Sequence, residues 1–400
     1  MFTVNSDVPI PIIARLILAF FIFALVFNVS CAKTPDSSSF CPSRTLPLYN
    51  QTNFITYISE TKKWIKENRA FLTYDHELEI RLNAPYELKP PRTNGVKKGV
   101  LFVHGLGASP WYFMDIGKEL VKNGWLVRTI LLPGHGSKPA DLMLPDYTDW
   151  EKALEHHAGL LSNEVDELWL AGFSTGGNLV TAYALDNDDI SGLLLFSPGF
   201  YPQNSLLWFS SLISCFRNWI DIDQEDNILC YQSLSANAAK LYYQSVKILQ
   251  KKLDAQSFNK PTLIVMSQHD SVLNPYATLY AFQSKFTHSA SRFIWYGSGE
   301  ISKNKDIRVS IYNSRLPHEK ISTFSHMNVI FSENNEYFGK NGRNLMLENG
   351  QENIPIPKER SELWFSAWGY KEKGKYHARI TWNPYFMELI SAINEIAKND

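Results

Sequence analysis

Residues 167–184 read ELWLAGFSTGGNLVTAYA: an apolar run, a serine between two glycines, then a stretch rich in helix-forming residues. The pattern predicts a strand, a tight Gly-x-Ser-x-Gly turn and a helix. A serine at such a bend is forced into a strained backbone conformation that lifts its hydroxyl clear of the sheet. Glycines at positions 172 and 176 leave room for the strand and the helix to pass closely. Ser174 is therefore the candidate nucleophile.

A second glycine-rich turn lies upstream. The apolar run Gly99–Val103 predicts a strand, and it leads into His-Gly-Leu-Gly at residues 104–107. An acyl-transfer site needs two backbone N–H donors aimed at the developing oxyanion. We expect these donors to be the amides of Leu106 and Thr175, one from each turn. His104 is expected to be structural, with its ring bracing the loop.

A candidate orienting acid follows a third apolar run. Residues Pro261–Met266 predict a buried parallel strand, and Asp270 comes shortly after it. A carboxylate beyond the C-terminal end of such a strand can hold a histidine in the tautomer that accepts a proton from serine. The alternative is that Asp270 caps the helix predicted over residues 275–286. The adjacent His269 is expected to be structural.

The general base must come from the histidines that follow Asp270, namely His288, His318, His326 and His377. We predict His326, which lies in a short polar turn before an apolar run. His318 is the alternative, because the segment Gly297–Thr323 is long for a loop between strand and histidine. The other two lie before the predicted last core strand, Arg292–Tyr296, or deep in the C-terminal tail.

In this order, the motifs resemble bacterial α/β-hydrolases of the carboxylesterase and monoacylglycerol-lipase-like group, also described as serine aminopeptidase-like. The matching segments lie within about residues 80–335: they are residues 99–110, 131–139 and 196–198, the turn around Ser174, Asp270, and Ser325-His326. The resemblance implies an α/β-hydrolase fold with a mostly parallel eight-stranded sheet, helices on both faces and an inserted lid. It also implies hydrolysis of carboxylic esters.

The expected organisation has three parts. Residues 1–31 would be a signal or anchor segment, residues 32–45 a tether, and residues 46–400 the α/β-hydrolase domain. Within that domain the lid is placed at about residues 199–260. A C-terminal extension at about residues 338–400 passes the usual end of the family.

Composition narrows the class of protein. A chain of 400 residues with 44% hydrophobic and 14% aromatic content can bury one large core without a second domain. A net charge of −1, with no long run of Lys or Arg, does not indicate a nucleic-acid partner. No cysteine or histidine spacing resembles a zinc or iron site, so we expect no metal. Acyl transfer by a serine, a histidine and an aspartate needs no cofactor, and none is expected.

The N-terminal segment predicts export. Residues Leu16–Phe27 form a continuous apolar run after Arg15, the length of a signal-peptide core and short for a spanning helix. We therefore expect a membrane-associated protein on the periplasmic or cell-envelope side. Residues 28–31 resemble a lipoprotein cleavage site, whose Cys31 would carry lipid. The alternatives are a simple cleaved signal and an uncleaved anchor.

The predicted lid is crowded with apolar side chains, among them Trp208, Phe209 and Leu212. Over the mouth of the site they would contact an acyl chain, which predicts an apolar substrate. The alternative is that they only pack lid helices onto the body. Cys215 and Cys230 also lie in the lid, where they either form a disulfide in an oxidising compartment or remain thiols.

The sequence thus predicts a serine hydrolase that cleaves carboxylic esters of apolar acyl chains through an acyl-enzyme. Its expected partners are a small ester or lipid substrate and a membrane. One alternative keeps Ser174, Asp270 and His326 but makes the chain a peptidase or an acyltransferase. Another is a non-catalytic, ligand-binding member of the fold.

Overall fold

The structure is a computed structural model that describes residues 38–91, 97–203, 214, 217–299, 306–351 and 354–398. Its α-helices are α1 (Phe54–Asn68), α2 (His76–Asn83), α3 (Met114–Lys122), α4 (Tyr147–Ser162), α5 (Thr175–Ala184), α6 (Ala236–Ala255), α7 (Pro275–Lys285) and α8 (Phe386–Ile396). Its strands are β1 (Glu87–Leu88), β2 (Lys98–Val103), β3 (Leu126–Ile130), β4 (Glu167–Phe173), β5 (Ile190–Phe196), β6 (Trp219–Asp221), β7 (Leu234–Ser235), β8 (Thr262–Ser267), β9 (Arg292–Tyr296), β10 (Val309–Tyr312), β11 (Trp364–Ser366) and β12 (His377–Arg379).

Eight of these strands form one sheet, in the order β1-β3-β2-β4-β5-β8-β9-β10. Only β1 pairs antiparallel, with β3, and the remaining pairs in this sheet are parallel. The carboxyl ends of the parallel strands therefore meet at one edge, where ligand sites form in open α/β sheets. The predicted α/β-hydrolase fold, with its mostly parallel eight-stranded sheet, is confirmed.

The central strands bury both of their faces, as their continuous apolar runs predict. In β2, Val100 and Phe102 pack into the core that includes residues of α3 and α8. The alternate residues Leu101 and Val103 pack into the opposite core, with residues of α1, α4 and α5. Helices thus cover both faces of the sheet.

Arg292–Tyr296 is, as predicted, the last strand of this sheet with buried residues, but one more strand follows it. Residues Val309–Tyr312 form β10, which pairs parallel with β9 at the edge of the sheet. The strand is only four residues long and partly exposed, so it lacks the apolar run that marks the buried strands. The long segment before the candidate histidine therefore contains an edge strand.

The insertion between β5 and β8 corresponds to the predicted lid. Its described residues include the antiparallel pair β6 and β7 and the long helix α6. Trp208, Phe209, Leu212 and Cys215 lie outside the described residues, so their predicted contacts stay predictions. Cys230 carries a free thiol.

The C-terminal residues complete the main core. Leu389 and Ile393 of α8 and the fully buried Trp382 belong to the same apolar cluster as Val100 and Phe102 of β2. The predicted extension therefore packs against the sheet rather than standing apart from it.

The last residues of the predicted tether are held against the body. The amide and hydroxyl of Ser43 donate to the Asp141 carboxylate at 2.5 and 2.8 Å, and the ring of Phe40 lies edge-on to Trp219. Among the described helices, none combines the length and the apolar character that crossing a membrane requires. The apolar segment Leu16–Phe27 and Cys31 lie outside the described residues.

Candidate active site

Ser174 occupies the bend between β4 and α5. Its backbone has φ +51° and ψ −116°, a conformation that a residue with a side chain rarely adopts. A Cβ on Gly172 would come within 2.5 Å of the backbone of Gly176, and a Cβ on Gly176 would overlap the carbonyl oxygen of Val103. Both glycines are thus required by the close passage of strand and helix, as the motif predicts.

The backbone of Ser174 is fixed on both sides while its side chain stays accessible. Its amide donates to the carbonyl of Phe196 at 3.1 Å. Its own carbonyl accepts from the amides of Gly177 at 3.0 Å and Gly199 at 2.8 Å. The residue is half-buried, and its hydroxyl makes no hydrogen bond with the described residues. Such an oxygen is available to a reacting group.

Asp270 and His326, 56 residues apart in the chain, form a hydrogen-bonded pair. Nδ1 of His326 lies 2.7 Å from Oδ2 of Asp270. The other carboxylate oxygen accepts from the amides of Val272 and Leu273 at 2.9 and 3.0 Å, and the Asp270 side chain is fully buried. With Nδ1–H donating to the carboxylate, Nε2 of His326 is left as the proton acceptor.

Asp270 does not cap the following helix. The N-cap of α7 is Asn274, whose side-chain oxygen accepts from the amide of Ala277 at 3.1 Å. The structure therefore excludes the alternative interpretation of Asp270 as a helix cap.

His318 is not placed to act with Asp270. Its side chain is 73% exposed, and its carboxylate neighbour is Glu319, at 4.0 Å. His377 is fully buried and its Nε2 lies 3.1 Å from the hydroxyl of Ser322. Of the histidines considered for the base, His326 alone pairs with Asp270 in the described residues.

His326 also lies beside the residue that precedes the candidate nucleophile. Its ring centroid is 5.0 Å from that of Phe173. The turn at residues 197–199 touches both candidates, since the Ser197 hydroxyl donates to the carbonyl of His326 and the Gly199 amide donates to that of Ser174. The fold thus brings Ser174, Asp270 and His326 to the same end of the sheet.

The loop that carries Leu106 is braced by two buried imidazoles. Nε2 of His104 accepts from the amide of Leu132 at 3.1 Å, so its Nδ1–H donates to the carbonyl of Gly105 at 2.8 Å. Burial lowers the pKa of His104 to about 4, which keeps the ring neutral as these bonds require. The predicted structural role of His104 is confirmed.

His135 braces the same loop from the neighbouring turn. Its Nε2 accepts from the amide of Gly107 at 3.0 Å, and burial lowers its pKa well below the ordinary value. In contrast, the amides of Leu106 and Thr175 have no hydrogen-bond acceptor among the described residues. Thr175 is the first residue of α5, where the helix leaves its amides unpaired. Both amides are available to an anion.

Sequence reasoning missed a residue of the lid that holds this loop. The amide of Tyr231 donates to the carbonyl of Gly107 at 2.8 Å, and its ring lies parallel to that of His135. Its hydroxyl accepts from the amide of Ser137 at 2.9 Å. A single tyrosine in a lid carries no pattern that predicts such contacts.

A buried ion pair anchors the segment that precedes Tyr231 in the lid. Nε of Arg69 lies 2.7 Å from Oε2 of Glu79, and both side chains are almost fully buried. The guanidinium also donates to the carbonyls of Gly136 and Ile228, each at 2.9 Å. Arg69 therefore joins the N-terminal helices, the turn around His135 and the lid.

Apolar rings pack against Phe173, the residue that precedes the candidate nucleophile. Phe173 lies 5.9 Å from Tyr112, which in turn contacts Phe331 and Phe338. Burial raises the pKa of the Cys230 thiol to about 11. Within the described residues, no three His, Cys, Asp or Glu side chains converge in a way that could hold a metal ion.

The part of the chain that holds the Ser174 turn is similar to known hydrolases. The family described as serine aminopeptidase, S33, matches residues 94–223, which include Leu106 and Ser174 but end before Asp270 and His326. A thermostable monoacylglycerol lipase from Bacillus sp. (strain H-257) is 30% identical over 96 residues. That match spans 24% of this chain and 38% of the relative, well under half of its length.

Two solved structures of lipolytic enzymes are also similar in part. One, from the metagenome-derived LipS and LipT pair, is 21% identical with a TM-score of 0.46, covering 53% of this chain and 86% of its own. A soluble variant of monoglyceride lipase from Saccharomyces cerevisiae is 18% identical with a TM-score of 0.44, covering 53% and 81%.

Proposed function

We propose that this chain, an α/β-hydrolase of the esterase and monoacylglycerol-lipase-like group, is a serine hydrolase that cleaves carboxylic esters of apolar acyl chains. One observation carries the proposal: the Asp270–His326 pair, joined at 2.7 Å, reaches the sheet edge at which the strained bend exposes Ser174. A buried carboxylate that orients an imidazole beside an accessible serine is the arrangement that activates a weak nucleophile.

The proposed reaction has two steps. His326 Nε2 takes the proton of Ser174 as Oγ attacks the ester carbonyl, and the amides of Leu106 and Thr175 stabilise the oxyanion. The imidazolium, stabilised by Asp270, then gives its proton to the departing alcohol, which leaves an acyl-enzyme. Water repeats the sequence and releases the acid. A hydrogen bond from the Ser174 hydroxyl to Nε2 of His326 is expected to form in the substrate complex.

An apolar acyl chain is the proposed substrate feature. Phe173, the residue before Ser174, packs against Tyr112 and gives this end of the sheet apolar surroundings. Trp208, Phe209 and Leu212 of the lid are proposed to line the site of the acyl chain. The similarity to a monoacylglycerol lipase supports monoacylglycerols as substrates. Short- to medium-chain esters and lysophospholipids, which also carry an acyl chain on an ester bond, belong to the same proposal.

The proposed location is the periplasmic or cell-envelope side of a membrane. The apolar segment Leu16–Phe27 supports export, and Cys31 is the proposed site of lipid attachment. Labelling of cells with an alkyne-bearing fatty acid should mark the wild type and leave Cys31→Ala unmarked. Equal labelling of the two would mean that Cys31 is not lipidated.

Activity assays test the reaction itself. Wild-type protein should hydrolyse p-nitrophenyl esters, from acetyl to palmitoyl, and should leave aminoacyl arylamides intact. Ser174→Ala and His326→Ala should be inactive but folded, whereas His318→Ala, which changes an exposed histidine, should retain full activity. Preference for the arylamides, or transfer to an added alcohol, would favour the peptidase or acyltransferase alternatives. Failure of folded wild type to react with a fluorophosphonate would favour a non-catalytic role.

A further inference from the structure

Ser197 has an unusual backbone for a buried residue. It follows the last residue of β5 and has φ +39°, one of three non-glycine residues with positive φ in the described part of the chain. One of the others is Ser174. The side chain of Ser197 is fully buried. A glycine would adopt this conformation with less strain, and such strain persists only where the surroundings hold it in place.

The hydroxyl of Ser197 has a specific partner. It donates to the backbone carbonyl of His326 at 2.9 Å, while the Ser197 amide donates to the carbonyl of Val265 at 2.8 Å. The hydrogen bond from its amide fixes Ser197 to the end of β8, an inner strand of the sheet. Ser197 therefore connects the backbone of the candidate base to a buried strand of the sheet.

Other bonds hold the loop around His326 but not His326 itself. The hydroxyl of Ser325 donates to the carbonyl of Ile380 at 2.6 Å, and the hydroxyl of Ser267 donates to that of Phe324 at 2.8 Å. Among the described residues, the backbone of His326 is bonded only by Ser197. Without that hydroxyl, the hydrogen bond to Asp270 is the one that His326 keeps among the described residues.

The same turn also holds the backbone of Ser174. Two residues after Ser197, the amide of Gly199 donates to the carbonyl of Ser174 at 2.8 Å. Residues 197–199 thus hold the backbones of both Ser174 and His326, and a change in this turn alters the separation of the two.

We propose that Ser197 is a positioning residue that holds His326 in register with Ser174. The inference rests on the proposed function, because it assigns Ser197 a part in proton transfer between these two residues. A small displacement of a catalytic group lowers the rate of the chemical step more than it lowers the affinity for substrate. Loss of the hydroxyl should therefore lower kcat and leave KM nearly unchanged.

Two substitutions separate positioning from stability. Both S197A and S197G remove the hydroxyl, but S197G also removes the backbone strain and should melt at a temperature about 2 °C higher than S197A. Both should lose about tenfold in kcat with p-nitrophenyl butyrate. The control is S291A, which removes another fully buried serine hydroxyl, bonded to the amide of Thr262 at 3.2 Å at the opposite end of β8. It should lower the melting temperature without changing kcat.

The outcomes distinguish the two proposals. A wild type no more active than Ser174→Ala would contradict the proposed function. An active wild type with kcat preserved in both Ser197 variants would contradict the positioning role alone. So would a kcat that recovers in S197G together with the melting temperature, because a purely structural role predicts that result.

Discussion

A Cβ on Gly176 would overlap the carbonyl oxygen of Val103. The first turn of α5 therefore crosses the end of β2 at a separation that only a glycine permits. This crossing places Ser174, at the start of α5, beside the Leu106 loop that continues from β2. The separation of the candidate nucleophile and the loop that carries Leu106 thus depends on the side chain that Gly176 lacks.

Substitution Gly176→Ala should destabilise the fold severely, by more than about 3 kcal/mol, because the clash is with backbone and neither segment can move freely. Gly159→Ala is the matched control, since Gly159 lies exposed in α4 with open space around it. That change should stabilise the protein by about 0.5–1 kcal/mol. Urea denaturation measures both changes, and a Gly176→Ala variant as stable as wild type would contradict the close crossing of β2 and α5.

Asp270→Asn should lower kcat by about four orders of magnitude, because an amide holds His326 in the wrong tautomer. Asn274→Ala removes the true cap of α7 and should cost about 1 kcal/mol of stability with unchanged kcat. Ester hydrolysis and thermal unfolding of both variants provide the comparison. If Asn274→Ala lost activity and Asp270→Asn retained it, the roles assigned to the two residues would be reversed.

Tyr231→Phe should hold the loop that carries Leu106 less firmly while leaving no cavity. The change keeps the ring and removes only the hydroxyl, which accepts from the Ser137 amide. We expect kcat to fall about fivefold, with a similar loss of affinity for a trifluoromethyl ketone that mimics the tetrahedral intermediate. Tyr376→Phe is the control, since its hydroxyl bonds the carbonyl of Leu347 in the C-terminal region. Unchanged ketone affinity in Tyr231→Phe would argue against a link between lid and oxyanion loop.

His157 should make stability depend on pH. The ring is fully buried, and its centroid lies 4.0 Å from that of the Tyr57 ring. Neither ring nitrogen has a hydrogen-bond partner among the described residues. Burial, with smaller effects of His156 and Arg128, lowers its pKa to about 3. As pH falls below about 6.5, His157 becomes protonated in the unfolded chain but stays neutral in the folded chain. The free energy of unfolding therefore decreases progressively until about pH 3.

In His157→Phe that contribution is absent. Between about pH 8 and pH 5 the wild type should lose about 2 kcal/mol more than this variant. His318→Gln, at an exposed position, should follow the wild type. Denaturant titrations at the two pH values measure the difference, and parallel curves for wild type and His157→Phe would refute the assignment.

The resemblance predicted from sequence is confirmed for residues 94–223, which the family model matches, and the sheet is confirmed by its strand order. The strands that were predicted correctly, such as β2 and β8, are buried on both faces and so are continuously apolar. The edge strand β10 was missed because a partly exposed strand of four residues has no such run.

The bend at Ser174 could be predicted from the sequence because its requirements are local. The positive φ of Ser174 and the close contact of the backbones on either side require glycines at fixed spacing, and that spacing is visible among neighbouring residues. The choice of His326 over His318, the role of Asp270 and the contacts of Ser197 and Tyr231 depend on residues far apart in the chain. Parallel strand order and the packing of the loops bring those side chains together, and a single serine, tyrosine or histidine carries no local sign of the partner it will meet.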